Sequence, residues 1–168
     1  MPVAFERIPT HYHKYVELVQ QTNLQDALQQ HVQDFDSFLS TIPEDKWNHQ
    51  YAEGKWTIKE LVQHVIDTER IFNYRALCIA RKDDKPLPGF DEKQYAANAK
   101  TDKRTKADLI AELKTVQQAT LTLFKSFDEE QLQASGIVNG NPVYVAGIGY
   151  IIAGHTLHHK KILQEKYL

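Results

Sequence analysis

One cysteine in 168 residues, Cys78, has no second thiol to pair with, so an intrachain disulfide is excluded and a reducing compartment is expected. Charge of one sign is also missing. The formal net charge is −2 and no long basic run occurs, which removes the electrostatic case for nucleic acid or an anionic membrane as partner. Long hydrophobic runs are absent too. The most apolar window, "VYVAGIGYIIAG", is about half a membrane span and runs into histidines and lysines. Charges interrupt the N-terminal stretch "MPVAFERIPTHYHKYVELV" before an apolar core of signal-peptide length can form. Internal repeats and low-complexity linkers are lacking, and strand signals are scarce. These absences imply a cytoplasmic protein with one domain over residues 1–168, whose 42% hydrophobic and 25% charged residues suit a globular core.

Four long segments carry a helical period, separated by proline and glycine. The first begins near His13, has a break at "QTNLQ" where Thr22 or Asn23 can cap a new start, and ends before Pro43. The second opens at Thr57, with Glu60 three residues on as a capping box, and runs to about Arg81. The third opens at Thr105 with Asp108 three residues later. The fourth starts after Pro142 and reaches almost to Leu168, and Asn139-Gly140 before it gives a weak hairpin or turn signal. The pattern predicts an all-α fold, a four-helix bundle. Two connections, "IPEDKWNHQYAEGKW" before the second helix and "RKDDKPLPGFDEKQY" after it, are long, roughly fifteen residues, enough to run the length of a helix. An up-down-down-up course is therefore as open as simple alternation.

The chemistry-bearing residues are histidines. In "YIIAGHTLHHKKIL", His155 and His159 fall about 40° apart on the face shared by Ile148, Ile151, Ile152 and Ile162, and His158 lies toward its edge. Two imidazoles four residues apart on one helix face can reach a single metal ion. His64, beside the stripe of Leu61, Thr68, Ile71, Phe72 and Arg75, is the other histidine well placed within a long helix. His11 and His13 lie near the start, His49 in a loop, and His31 between core positions of the first helix. From spacing alone two readings stand level: a mononuclear three-histidine metal site, or core histidines satisfied by hydrogen bonds. No Glu-x-x-His, His-Glu-x-x-His, GxGxxG or Walker-type GxxxxGK occurs, which removes di-iron, zincin and nucleotide-phosphate readings. Imidazole ligation suits zinc or nickel.

The stretches "YAEGKWTIKELVQHVIDTERIFNYRAL", "ARKDDKPLPGFDEKQY" and "GYIIAGHTLHHKKIL" together resemble the DinB-like superfamily, in its YfiT-like branch of metal-dependent enzymes, over nearly the whole chain. The combination of Lys-Trp-Thr, a following helical histidine and a terminal GHxxHH carries the resemblance. It implies a bundle of up-down-down-up topology with one divalent ion held by His64, His155 and His159, and it leaves His158 outside the ligand set. Many members have HHxGQ where this chain has HHKKI. The family's bundles often pair, so a homodimer is expected on that ground, with a small molecule as substrate.

The resemblance implies two reactions. In thiol transfer, the ion lowers the pKa of a bacillithiol-like low-molecular-weight thiol, which attacks an electrophile. A carboxylate-bearing thiol then calls for a basic residue, and Arg75 is the candidate, although an ion pair with the third helix is the plainer role for it. In metal-assisted hydrolysis a general base is needed. Glu69 and Asp67 are the candidates, although Glu69 beside the apolar face more simply pairs with an arginine such as Arg81. A non-catalytic metal-binding bundle is the remaining reading. Trp47 and Trp56 flank the loop before the second helix, as pocket walls or as a plug of the bundle end.

Overall fold

The computed structural model describes residues 3–168. After two 3-10 turns comes a one-turn helix, α1 (His13–Val16), then α2 (Leu24–Thr41), α3 (Ile58–Ala80), α4 (Glu92–Asn98), α5 (Lys106–Lys125), α6 (Glu129–Gln133), strands β1 (Ser135–Val138) and β2 (Asn141–Tyr144), and α7 (Val145–Ile162). The helix starts are set by local chemistry. Thr57 and Thr105 each form a full capping box, with Glu60 and Asp108, and the Asn23 side chain accepts from the Asp26 amide. The chain therefore does break at "QTNLQ", and the cap is Asn23. The Asn139-Gly140 signal closes an antiparallel β1–β2 hairpin, with both residues at positive φ (50° and 75°) as a type I′ turn requires. That hairpin takes residues through Tyr144, so α7 begins later than Pro142. Its last turn widens into a π-helix over Leu163–Tyr167.

Four long helices form the bundle, and the contacts along them fix its direction. Arg104 binds Gln63, Arg70 binds Glu112 and Asn73 binds Thr120, so α3 and α5 run parallel. Leu24 packs at Gly149 and Lys160 over Phe38, so α2 and α7 run parallel as well. Gln25 donates to Phe124 O while Lys106 donates to Ile42 O, so α2 and α5 are antiparallel. The course is up-down-down-up, and the long α3–α5 connection, with α4 inside it, makes the parallel step possible. Among the described residues no helix is long and apolar enough to cross a membrane.

The core is divided. One apolar cluster, including Leu28, Phe72, Phe124 and Ile151, packs toward the hairpin; the other, including Phe35, Trp47, Leu61, Leu113 and Leu163, packs toward the opposite end. Trp47 is fully buried there and plugs the bundle. Between the clusters lies a polar belt with residues from all four helices: His31, Thr68 and Glu69, Gln117 and Thr120, and His155, Thr156 and His159, all buried. Buried polar groups need partners, and what they find divides the belt into two halves.

Candidate metal centre

His64 sits in the second turn of α3, and His155 and His159 sit on the C-terminal half of α7. Because α3 and α7 are antiparallel, these two segments meet. His64 Nε2 lies 3.1 Å from His155 Nε2, which lies 3.0 Å from His159 Nε2. The three residues form the one cluster of metal-ligating type among the described residues, with ligand atoms all within 4.8 Å, and no carboxylate joins it. Nitrogens bound tetrahedrally at about 2.0–2.1 Å stand about 3.3 Å apart, so the observed separations already approach those of a bound ion.

Protonation favours the same reading. Burial pushes His64 down to about 4, and burial followed by the neighbouring imidazoles pushes His155 and His159 well below the usual histidine range. All three are neutral at neutral pH. A neutral imidazole Nε2 offers one in-plane site, either N–H or lone pair, so His155 Nε2 can satisfy one neighbour but not both. A cation that accepts three lone pairs removes that conflict. Thr68 Oγ1 lies 3.4 Å from His64 Nδ1, while His159 Nδ1 is buried without a partner. Each of the three histidines keeps 6–8% exposure, so the cluster lies just below the surface.

Two aromatic side chains flank it. Trp56 packs on His64 with centroids 4.9 Å apart and the rings tilted by 40°, and the Tyr167 hydroxyl holds this position by donating to Trp56 O at 2.6 Å. Tyr15, on α1, meets His155 edge-on at 5.3 Å and His158 at 5.0 Å. Gly154 permits that approach, because a Cβ there would stand 2.0 Å from Tyr15 O. His158 is half-buried against Tyr15 and outside the converging nitrogens. Ile148, Ile151 and Ile152 are buried as the helical phase requires, and Ile162 only partly.

The other candidates lie apart from this centre. Glu69 does not pair with Arg81. Twelve residues put the two about 120° apart around the helix. Arg81 is exposed, over Phe127. Glu69 instead accepts from Thr120 on α5 and faces His31 Nε2 at 3.9 Å, so it belongs to the other half of the belt. Asp67 accepts from Gln63, whose amide oxygen accepts from Arg104. Arg75 makes no ion pair with α5. It donates to Pro88 O at 2.8 Å and lies over Phe72 and Phe90. The "KPLPGF" loop thus packs on Arg75, while Trp56 alone of the two tryptophans reaches the histidines. Sequence reasoning missed Tyr15 and Tyr12, because the opening of the first helical segment folds as a 3-10 turn and the one-turn helix α1, too short for its period to mark an inward face. The one available signal for Tyr15 was the glycine next to His155.

Comparisons with known proteins agree with this architecture. The family model described as the DinB superfamily matches residues 27–163. A protein of Oceanobacillus iheyensis named "Putative metal-dependent hydrolase" is 28% identical over 124 residues, 72% of this chain and 70% of its own length. The solved structure of YfiT from Bacillus subtilis, described as "a probable metal-dependent hydrolase with an unusual four-helix bundle topology", is similar with a TM-score of 0.76. It is 14% identical, over 87% of this chain and 85% of that one.

Proposed function

This chain belongs to the DinB superfamily, and from that premise we propose that it is a divalent-metal-dependent enzyme that transfers a low-molecular-weight thiol to an electrophilic substrate. The observation that carries the reading is the donor set: three neutral imidazole nitrogens converge and no carboxylate stands among them. Three protein ligands are the number that catalytic zinc-type centres use, and zinc or nickel suits the donors. Bound there, the ion supplies positive charge that lowers the pKa of a thiol or water and makes a nucleophile available at neutral pH.

The chain's own residues do the rest. His64, His155 and His159 turn their Nε2 atoms toward one another, and burial keeps the rings neutral, so each can offer a lone pair to an ion there. Trp56 and Tyr15 wall the cluster on either side. The thiol gives up its proton to solvent, its sulfur bonds to the electrophilic carbon, and the leaving group departs with its electron pair. No protein nucleophile is needed. Cys78 stands fourteen residues beyond His64 on α3, about 21 Å along the axis. A hydrolase is the second reading, favoured by the names of the relatives. It asks for a general base, yet Glu69 and Asp67 are both engaged away from the centre.

The test uses zinc-loaded protein with a thiol and an aryl halide, and separately with an activated ester. Thiol-dependent turnover that vanishes on chelation and survives Cys78→Ala is expected. Full ester turnover without thiol would favour the hydrolase instead.

A further inference from the structure

The half of the polar belt away from the histidine centre is short of hydrogen-bond donors. Glu69 is 2% exposed, and among the described residues no lysine or arginine pairs with it. Its Oε1 accepts from Thr120, and its Oε2 is left without a hydrogen bond. What faces Oε2 is His31 Nε2, at 3.9 Å, beyond hydrogen-bond reach. His31 Nδ1 is bonded to Leu28 O, and a carbonyl oxygen only accepts, so Nδ1 carries the proton. In the neutral ring Nε2 is then a lone pair, and two acceptors stand opposed.

The neighbours add acceptors. Asn73, about one turn beyond Glu69 on α3, donates through Nδ2 to Thr120 Oγ1, which leaves its Oδ1 unpartnered. Gln117 is wholly buried, and both ends of its amide lack partners. On antiparallel α2 and α5, Gln25 meets Phe124 and Ile42 meets Lys106, so Gln117 stands level with His31. His31 Nε2, Glu69 Oε2, Asn73 Oδ1 and Gln117 Oε1 are thus unpartnered acceptors, against Gln117 Nε2 as the one donor among them. A buried carboxylate amid orphaned acceptors needs positive charge and donors. A cavity of about 40 Å³ between α2 and α7, lined by Ala27, His31, Asp34, Ala153, Thr156 and Lys160, brings the surface to the His31 ring. A small ion needs less room than that.

We propose that this half of the belt binds one small monovalent cation, of the ammonium or potassium kind, among His31, Glu69, Asn73 and Gln117. One positive charge matches the single carboxylate among these four side chains, whereas a divalent ion would call for more anionic ligands. Asp36, nearby on α2, has Lys114 to offset it. Ammonium brings an N–H donor for each of the four acceptors, and potassium brings a similar size and the same charge to the oxygens. The 3.9 Å between Nε2 and Oε2 suits a guest about 2.8 Å from each, seated to one side of the line between them. A proton alone, on His31, would pair Nε2 with Oε2 but leave Asn73 Oδ1 and Gln117 Oε1 unsatisfied. The site shares no residue with the three-histidine cluster and does not rest on it.

The test is urea unfolding of the metal-free full chain at constant ionic strength, in potassium, ammonium or tetramethylammonium chloride. Tetramethylammonium is too large to enter and has no N–H. At about 100 mM, potassium or ammonium should raise the folding equilibrium constant about tenfold over tetramethylammonium, with saturation. Glu69→Gln, which keeps an acceptor for Thr120 and removes the charge, should abolish the difference. A larger effect of ammonium assigns the His31 nitrogen a bond to the ion, and a larger effect of potassium assigns the oxygens; each supports the site. If the glutamine variant does not fold, wild-type crystals soaked in thallium(I), which replaces both cations, decide. An anomalous peak between His31 and Glu69 is expected there, and its absence overturns the site. Equal unfolding in the three salts, or a difference that Glu69→Gln retains, overturns it as well. So does a doubly protonated His31 ring in nitrogen NMR spectra at neutral pH, because the imidazolium then supplies the charge itself.

Discussion

Replacing Gly154 by alanine sets two effects of opposite sign against each other. Alanine inside a helix is favoured over glycine by about 1 kcal/mol, so on α7 alone the change would stabilise. The added Cβ, however, would lie 2.0 Å from Tyr15 O and 2.4 Å from Tyr15 C. An ordinary carbon–oxygen contact is about 3.3 Å, so α1 must move by more than about 1 Å. The obstruction is backbone rather than the end of a flexible side chain, and overpacking of this kind costs about 1–3 kcal/mol. Opposing terms of this size leave a net loss of about 0–2 kcal/mol in urea unfolding of the metal-free protein. The displacement also lifts the Tyr15 ring from His155, and metal affinity should fall about tenfold, as when a ligand loses its supporting shell. A variant as stable as the wild type, with unchanged metal affinity, would refute the claim that Gly154 sets the approach of α1 to the centre.

Three further outcomes follow from the same geometry. In zinc titrations, His159→Ala should weaken binding by more than about 100-fold and His158→Ala by less than about threefold, since only His159 points its Nε2 into the cluster. The metal-free protein should lose stability as pH falls from about 6.5 to about 4 and go on losing it below, because His155 and His159 are pushed down as well. In that window the unfolded chain takes up the protons that buried His64 refuses, which is worth roughly 3 kcal/mol from that residue; denaturant midpoints across this range check it. Glu69→Ala should destabilise by about 1–3 kcal/mol, because it removes a buried acceptor of the Thr120 hydroxyl, which keeps only Val116 O, and takes away the carboxylate 3.9 Å from the His31 ring. Activity per folded molecule should be unchanged, because Glu69 lies in the other half of the polar belt.

The sequence makes the scaffold legible because its determinants are local. The Thr57 and Thr105 capping boxes, the Asn23 cap and the Asn139-Gly140 turn each act within three or four residues, so their spacing is the structure. His155 and His159 share a face for the same reason. That His64 meets them depends on α3 and α7 being antiparallel neighbours, which no spacing specifies; the family resemblance supplied it. The long-range polar contacts were beyond local reasoning. Glu69 finds Thr120 and His31 across the bundle instead of Arg81, and Arg75 turns to the loop at Pro88 instead of to α5. Both are decided by which helix packs diagonally and which adjacently. Tyr12 and Tyr15 enter from the start of the first helical segment, which folds as a 3-10 turn and a one-turn helix, too short for periodicity to mark an inward face.

Metal content, measured on protein purified without a metal-affinity tag and then saturated with zinc or nickel and desalted, tests the central claim most directly. The account predicts one divalent ion per chain in the wild type and in His158→Ala, and almost none in His64→Ala, since α3 and α7 must both contribute nitrogen to the cluster. A wild type that retains no ion, or a His64→Ala variant that holds it as firmly as the wild type, would contradict it.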